Sequence, residues 1–444
     1  MKVLTFDRLN THKIILLISS FIFLIIGVRS AVNNSNDLAP PYGGAACLVR
    51  GCNPYDASQW IGEYLHRDGP PTRVPPWNRE ISVYPPSTLL VISPLVALTF
   101  PVASIIWAIL NGIIFIIAIW MITGICSEKN RWMTTALGSI FLLTSGALLG
   151  TGNPAFFSIP LLVIGCVLLL QEKHCLLASV LWMLGLAVKP QIGGLVVLYF
   201  LICGNKRRYA SIAMGGSICI LMIASSILWA RPQSHNWLYQ LRETQSVSAN
   251  PGQCNDPRPE NESAIGDVHI QTVTSIFLSS SKAFNGAAYG IVAGLILLAL
   301  AAAIKADLCS SNNLFLLAFI ATISLLPIYH RHYDTRLLIL TIPAVVALVN
   351  KQKILAGAVV AATILSIICV QCRLQEVLHE RGLFETISKS KLLFLLLLRQ
   401  QNLAVLLLCC LYLVSLFVAV ESSKKSKCEP EMSIAMRTGK GEIS

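Results

Sequence analysis

Thirteen apolar stretches constrain this chain more than anything else in it. They cover residues 13–30, 87–100, 102–124, 133–149, 155–170, 174–188, 190–203, 209–230, 286–304, 313–329, 336–349, 354–371 and 392–420. A helix that crosses a bilayer needs about 20 mostly apolar residues, or about 17 at the short end. All thirteen are therefore candidate spans, although several are short. Only 13% of the 444 residues are charged, and mean hydropathy is +0.66. A soluble domain carries about 25% charged residues. The chain reads as an all-α polytopic membrane protein. Its first apolar run is at the upper length limit for a signal peptide, and RSAVNN is a poor small-residue cleavage site. A retained first helix is the favoured reading.

Charge sets the orientation. The formal charge of +12 and pI near 9.1 come from short basic clusters between apolar runs. These are Lys2, Arg8 and Lys13, residues 129–131, Lys173, residues 206–208, Lys305, residues 351–353, and the KKSK tail from Lys424. Clusters so placed follow the positive-inside pattern and argue against a nucleic-acid partner. If all are cytoplasmic, both termini are inside and the number of crossings is even. One of the thirteen segments then fails to cross, and 87–100, short and cut off by Pro101, is the candidate for a re-entrant or interfacial course. About twelve transmembrane helices place every basic cluster inside. Residues 1–12 and 421–444 become cytoplasmic tails. The connections 32–86, 150–154, 189–191, 231–285, 329–336 and 372–391 all fall on the outer face.

The polar groups of these outer connections need an explanation beyond topology. Asp37 lies directly after the first span, where a carboxylate is placed to act as a base on a membrane-bound substrate. A solvated loop acid is the plainer alternative. Residues 55–68 carry Trp60, Ile61, Tyr64 and Leu65 at helical spacing, which predicts an interfacial amphipathic helix within the large first outer loop. Residues 69–76 read as a Pro-rich linker, and a short helix is expected near 270–278. Lys189 ends an apolar helix just before Pro190 and either snorkels to the interface or contacts phosphate. Asn153 either caps the helix after Pro154 or contacts sugar. His330, Arg331, His332, Asp334 and Arg336 form a dense ionisable run between two spans, read as a solvated turn or as a phosphate site with Asp334 orienting its partners. Most of the fourteen cysteines lie in apolar runs and behave as small hydrophobes. Their spacing holds no metal signature. Cys47 and Cys52 can pair with each other, or either with Cys254.

Taken in order, Asp37, Tyr42, Ala45-Ala46, Arg50-Gly51, Asn53-Pro54-Tyr55-Asp56 and Tyr84-Pro85-Pro86 resemble the first outer loop of GT-C class glycosyltransferases. Specifically, the series is similar to the alpha-mannosyltransferase family that includes the phosphatidylinositol-mannoside-elongating enzymes. The resemblance continues at Gly152-Asn153, where that family commonly has Gly-Gln, at Lys189-Pro190 and at His332-Tyr333. It spans residues 13–345, and from 350 onward only generic apolar helices are recognisable. It implies a GT-C-like catalytic module over 13–349, followed by additional transmembrane helices over 350–420. It also implies a polyprenyl-phosphate sugar donor, a lipid-linked or glycan acceptor, and no cofactor. Asp37 becomes the general base. Lys189, His332 and Arg331 become donor-phosphate contacts, and Tyr84, Asn153, His269 and Gln271 substrate contacts. The reaction would be inverting at an outer-face site in a plasma (inner) membrane, with mannose, arabinofuranose or glucose as candidate sugars.

A transporter or flippase of a polyprenyl-linked or small anionic substrate is the competing reading. Transporters place ionisable residues near the bilayer midplane in broken helices and show repeats. Here such residues gather at one face, which favours an enzyme. A scaffold subunit of an envelope-synthesis complex is a third reading. The shared face is testable by cysteine-accessibility labelling. Positions 37, 153, 189 and 332 are expected to label from outside, and positions 207 and 425 from inside. Opposite-side labelling of 37 and 332 would dissolve the shared site.

Overall fold

The structure, a computed structural model, describes residues 11–74, 83–126, 128–202, 206–253, 255–305, 313–350, 352–368 and 370–437. Most of the expected N-terminal tail, the end of the Pro-rich linker, Cys254 and the last residues of the C-terminal tail lie outside these. The described chain is helical, with a single isolated antiparallel bridge between Asp267 and Arg331. It opens with α1 (Thr11–Asn34), followed by two short helices, α2 (Ala39–Arg50) and α3 (Ala57–Leu65). After α4 (Pro86–Ile92) and a 3-10 continuation to Ala97 come α5 (Phe100–Gly124), α6 (Arg131–Leu149) and α7 (Ala155–Leu170). Next are α8 (Cys175–Val188), α9 (Pro190–Ile202), α10 (Arg207–Trp229), α11 (Trp237–Ser248) and α12 (Gln271–Phe277). The last of these is the short helix expected near 270–278. The chain continues through α13 (Ser281–Lys305), α14 (Leu314–Ile323), a 3-10 run Asp334–Thr341 leading into α15 (Ile342–Val349), and α16 (Lys353–Ile367). It closes with α17 (Val370–Glu380), α18 (Phe384–Ser388), α19 (Lys391–Leu398) and α20 (Gln400–Arg437).

Among the described residues six helices are long and apolar enough to cross a membrane: α1, α5, α6, α10, α13 and α20 to Val418. Counting α16 and α17 as one bent span makes seven. Other apolar runs form helices of 10–17 residues, including α7, α8, α9 and α14. The expected run 392–420 is divided at Arg399, between α19 and α20. Large apolar side chains stand exposed along the rim, for example Leu17 and Phe21 on α1, Ile218 and Ile223 on α10, and Leu297 and Ile304 on α13. Such a continuous apolar exterior suits lipid rather than water. Helix α7 is the axis of the bundle. Every residue from Ala155 to Leu169 is buried, as expected of a helix that is hydrophobic all round.

Residues 32–86, read as one large loop with one helix, contain among their described residues the two packed helices α2 and α3. Pro40 and Pro41 fall at the start of α2, where a missing N–H costs nothing. Gly51 ends α2 with φ 95°, a left-handed C-terminal position that favours glycine. Between them Gly43 lets the Trp60 backbone close in. The expected amphipathic face of α3 is partly a core face: Trp60 and Tyr64 are fully buried, while Leu65 is exposed. Its Asp56 caps the helix by accepting from the backbone N–H of Ser58 and Gln59. Cys47 and Cys52 are joined as a disulfide across the end of α2.

Packing at the axis generates a stability prediction. Gly165 on α7 faces the indole of Trp182 on α8, whose Nε1 donates to Leu162 O at 3.0 Å. A methyl group at Gly165 would overlap that ring, whereas one at Gly294 on α13 meets nothing within 4 Å. Gly165→Ala should therefore cost about 1–3 kcal/mol. Gly294→Ala should be neutral or stabilise by up to about 1 kcal/mol through helix propensity. Thermal unfolding of the purified protein compares the two, and equal effects would contradict this packing.

Candidate active site

Four chain reversals meet at one end of the bundle: 35–38 after α1, 150–154 between α6 and α7, Lys189 between α8 and α9, and 324–333 after α14. The local chemistry that fixes each of them is visible. Asp37 N donates to Thr151 O at 3.0 Å, tying the first reversal to the second. Gly152 turns with φ 75°, and a side chain there would run into Leu38, so only glycine makes the turn without strain. Pro190 cannot donate to the end of α8. The orphan carbonyls of Ala187 and Val188 instead accept from Ser87 Oγ at 2.6 Å and Thr88 Oγ1 at 2.7 Å, both on α4. Helix α4 thus buttresses the position of Lys189.

The side chains then form a connected network. Lys189 Nζ stands 2.7 Å from Asp334 Oδ1 and donates to Asn153 Oδ1 at 3.4 Å. Asn153 Nδ2 donates to Asp37 Oδ2 at 3.3 Å. Asn153 Oδ1 also accepts from Ala155 N at 3.0 Å. It thus supports the start of α7, as the capping reading expects, and also reaches the acid. Lys189 does not snorkel. It is 8% exposed, is turned inward, and lies 4.9 Å from the centre of the Tyr333 ring. Asp334 also accepts from His330 Nδ1 at 3.0 Å and from Arg331 N at 3.3 Å, while His330 Nε2 faces Ser324 O at 3.1 Å. The Tyr84 hydroxyl points to Asp37 O at 3.5 Å, and Tyr84 O accepts from Tyr55 Oη at 2.9 Å.

The electrostatics divide the acids. Burial acts against ionisation of Asp334, but the Lys189 ammonium and the His330 hydrogen bond hold it down to about 2. Asp37, half-buried, is raised: desolvation outweighs the pull of Arg331, Asn153, Thr151 and Lys189. Burial likewise lifts Asp267 to about 6, against the pull of Arg331 and Arg399. Burial, with Arg336 and Arg331 nearby, lowers His332 to about 4. Burial lowers His269 to about 3. Both imidazoles are therefore neutral near pH 7.

Of the residues singled out in the sequence, Asp37, Asn153 and Lys189 form one network, with Tyr84 against Asp37 and Arg331 close enough to shift its charge. The His332 ring lies tilted against Tyr333, 5.4 Å between ring centres, and the same tyrosine ring faces Lys189. His269 and Gln271 sit to one side. They bond each other at 2.9 Å, and Gln271 Nε2 donates to Pro327 O. Arg336 is structural, donating from α15's approach to Ile367 O and Thr144 O. Two residues carry more than the sequence assigned to them. Tyr333 is central to the network, and Asp267 lies 3.3 Å from Arg331 Nε. Among the described residues no group of three or more His, Cys, Asp or Glu is placed to hold a metal ion. A cavity of about 270 Å³ lies at the opposite end, lined by His12, Lys13, Arg131 and Trp120 among others. It contains none of the buried acids.

Apolar helices around a buried charged network make this a membrane protein with a polar site at one end. Residues 83–328, more than half of the chain, match glycosyltransferase family 87, and the chain belongs to that family. It is a membrane glycosyltransferase. The match takes in Tyr84, Asn153, Lys189, His269 and Gln271, while Asp37, Arg331, His332 and Asp334 lie beyond it. The chain matches no curated protein and no solved structure.

The Lys189–Asp334 pair makes its own prediction. Asp334→Ala leaves a buried ammonium without its counter-ion, at an expected cost of about 3–5 kcal/mol. Removing both charges, as in Lys189→Met with Asp334→Leu, should cost less. A carboxyl held down to about 2 contributes its full stability above its ordinary value and loses it as pH falls from about 4 towards 2. The gap between wild type and Asp334→Ala should therefore close only below pH 4. Thermal unfolding across that range checks both statements, and a double variant as unstable as the single would contradict the pair.

Proposed function

We propose that this glycosyltransferase moves a mannosyl or related residue from a polyprenyl-phosphate sugar to a lipid-linked or glycan acceptor, with inversion. The supporting observation is one arrangement. Asp37, a carboxyl with a raised affinity for protons, is held by Asn153 beside two cations, Lys189 and Arg331. The attacking acceptor hydroxyl must lose a proton, which Asp37 takes. The departing phosphate gathers negative charge, which Lys189 and Arg331 stabilise in a low-dielectric setting. His332 contributes a neutral hydrogen bond. Asn153 and Tyr84 hold the base and border the sugar, and His269 and Gln271 flank the donor side. With one base and one leaving group on opposite faces of the anomeric carbon, a single displacement inverts the configuration.

In this reading the chain makes twelve passes, with α4 and its 3-10 continuation turned back at the outer end. The charged site then opens on the extracytoplasmic face of a plasma (inner) membrane. The module over 13–349 carries the chemistry, and residues 350–420 add helices. No cofactor takes part. Incubating membranes with labelled polyprenyl-phosphate mannose, and identifying the lipid or glycan that gains the label, tests donor and acceptor together. The same assay with arabinofuranose and glucose donors decides the sugar.

Asp37→Asn keeps the size of the side chain and removes the base. Transfer should fall about 10²- to 10⁴-fold while donor binding and expression persist. Asp56, a helix cap, Glu63, paired with Arg50 at 3.3 Å, and Asp68 should tolerate the same amide change with far smaller losses. Because Asp37 is raised, its ionised fraction grows with pH above the ordinary carboxylate range. The rate should climb with pH there, and the residual rate of Asp37→Asn should lack that climb. Near-normal transfer by Asp37→Asn, with another of these acids essential, would move the base elsewhere.

A further inference from the structure

The loop that brings Asp267 to Arg331 is pinned by side chains from the last part of the chain. Gln371 Nε2 donates to Ile265 O, and Arg399 Nη1 donates to Ala264 O. Asn402 Nδ2 donates to the carbonyls of both Asp267 and His269, each at 3.0 Å. Gln371, Arg399 and Asn402 are each at most 1% exposed. All three come from the region after residue 350, where the sequence offers only apolar helices and the family match has ended. The pinned loop in turn pairs with the segment that bears Arg331: Val268 N donates to His330 O at 2.7 Å, and His332 N to Gly266 O at 3.0 Å.

Asp267 is an unusual occupant of such a loop. It is 0% exposed, and among the described residues neither carboxylate oxygen has a hydrogen-bond donor. A buried carboxylate without hydrogen bonds is costly, and this one neither caps a helix nor closes a turn. Its nearest charge is Arg331, with Nε 3.3 Å from Oδ1, and Arg399 is the second cation it feels. The guanidinium so held is one of the two cations whose charge reaches Asp37. The other, Lys189, is held in the same manner by Asp334.

We propose that Asp267 is a positioning residue that holds the Arg331 guanidinium at the Asp37 site, and that Gln371, Arg399 and Asn402 from the C-terminal helices hold Asp267 in place. The proposal rests on the reading of this site as one that stabilises a departing phosphate. It gives residues 350–420 a task in that reaction: they set the position of a cation they do not themselves contain.

The test is a double-variant cycle on the full chain in lipid nanodiscs, with Asp267→Asn, Arg331→Ala and the two combined. One readout is transfer from labelled polyprenyl-phosphate mannose, resolved into donor KM and kcat. Asp267→Asn should lower kcat and kcat/KM for the donor about 10-fold or more, with a much smaller change in donor KM. The combined variant should be no worse than Arg331→Ala alone, since residues acting through one another are not additive. Asn402→Leu should lower kcat in the same direction. An unchanged kcat in Asp267→Asn, or multiplicative losses in the combined variant, overturns the proposal. The second readout is thermal unfolding of the same set without substrate, where coupling between positions 267 and 331 is expected. Additive shifts in Tm overturn the ion pair whatever the reaction. If wild type transfers from no donor, the functional reading fails, and the thermal cycle alone decides whether Asp267 holds Arg331.

Discussion

The Lys189–Asp334 ion pair is the interaction on which this end of the molecule depends. Two charges taken out of water cost more than their attraction returns unless the geometry is good and the remaining hydrogen-bonding groups are met. Here they are met. Asp334 also receives His330 and the Arg331 backbone, and Lys189 is shared with Asn153 and lies over Tyr333. The pair joins the α8–α9 reversal to the segment after α14, two places far apart in the chain. It also fixes the ammonium within reach of Asn153, and Asn153 within reach of Asp37.

Two cations with two fixed counter-ions then leave a third acid that has neither to itself. Lys189 answers to Asp334 and Arg331 to Asp267. Asp37 receives what those cations share and hydrogen bonds from Asn153 and Thr151, which desolvation outweighs, so its proton affinity rises. Its neighbour Asp334, more deeply enclosed but with a cation at 2.7 Å, goes the other way. One acid with raised and one with lowered proton affinity are thus made from the same residue type by the placement of one lysine, which is how opposed proton affinities commonly arise in active sites.

Much of this could be read from the sequence, and the reason it could is physical. Ionisable residues are rare in apolar chain, so Asp37, Lys189 and the run 330–336 stand out at the ends of apolar segments without any knowledge of the fold. Helix α2 is a different matter. Its sequence APPYGGAACLVR has the prolines and glycines of a loop, and it is helical because the prolines sit in the first turn and Gly43 admits Trp60. That is a tertiary cause, invisible to local pattern. The break at Arg399 within 392–420 is another, since the arginine turns inward to the carbonyl of Ala264. The pairing of Asp267 with Arg331 depends on two loops meeting, and no spacing in the chain announces it. The charge of His332 is likewise out of the sequence's reach, because burial beside Arg336 and Arg331 decides it and burial is a property of the fold.

That last point shapes how the site answers to pH. Histidine is the residue whose ordinary proton affinity makes it a switch between pH 5 and 8, and two of the histidines here are prevented from acting so. His269 and His332 are lowered to about 3 and about 4, which leaves both neutral across that range. The positive field at the site comes from Lys189 and Arg331. What changes between pH 5 and 8 is therefore on the acidic side: Asp267, raised to about 6, gains through that interval the charge that faces Arg331. Asp37, raised above its usual value by burial, ionises at higher pH than an ordinary carboxylate. In the proposed reaction the first change anchors the cation and the second supplies the base beside it.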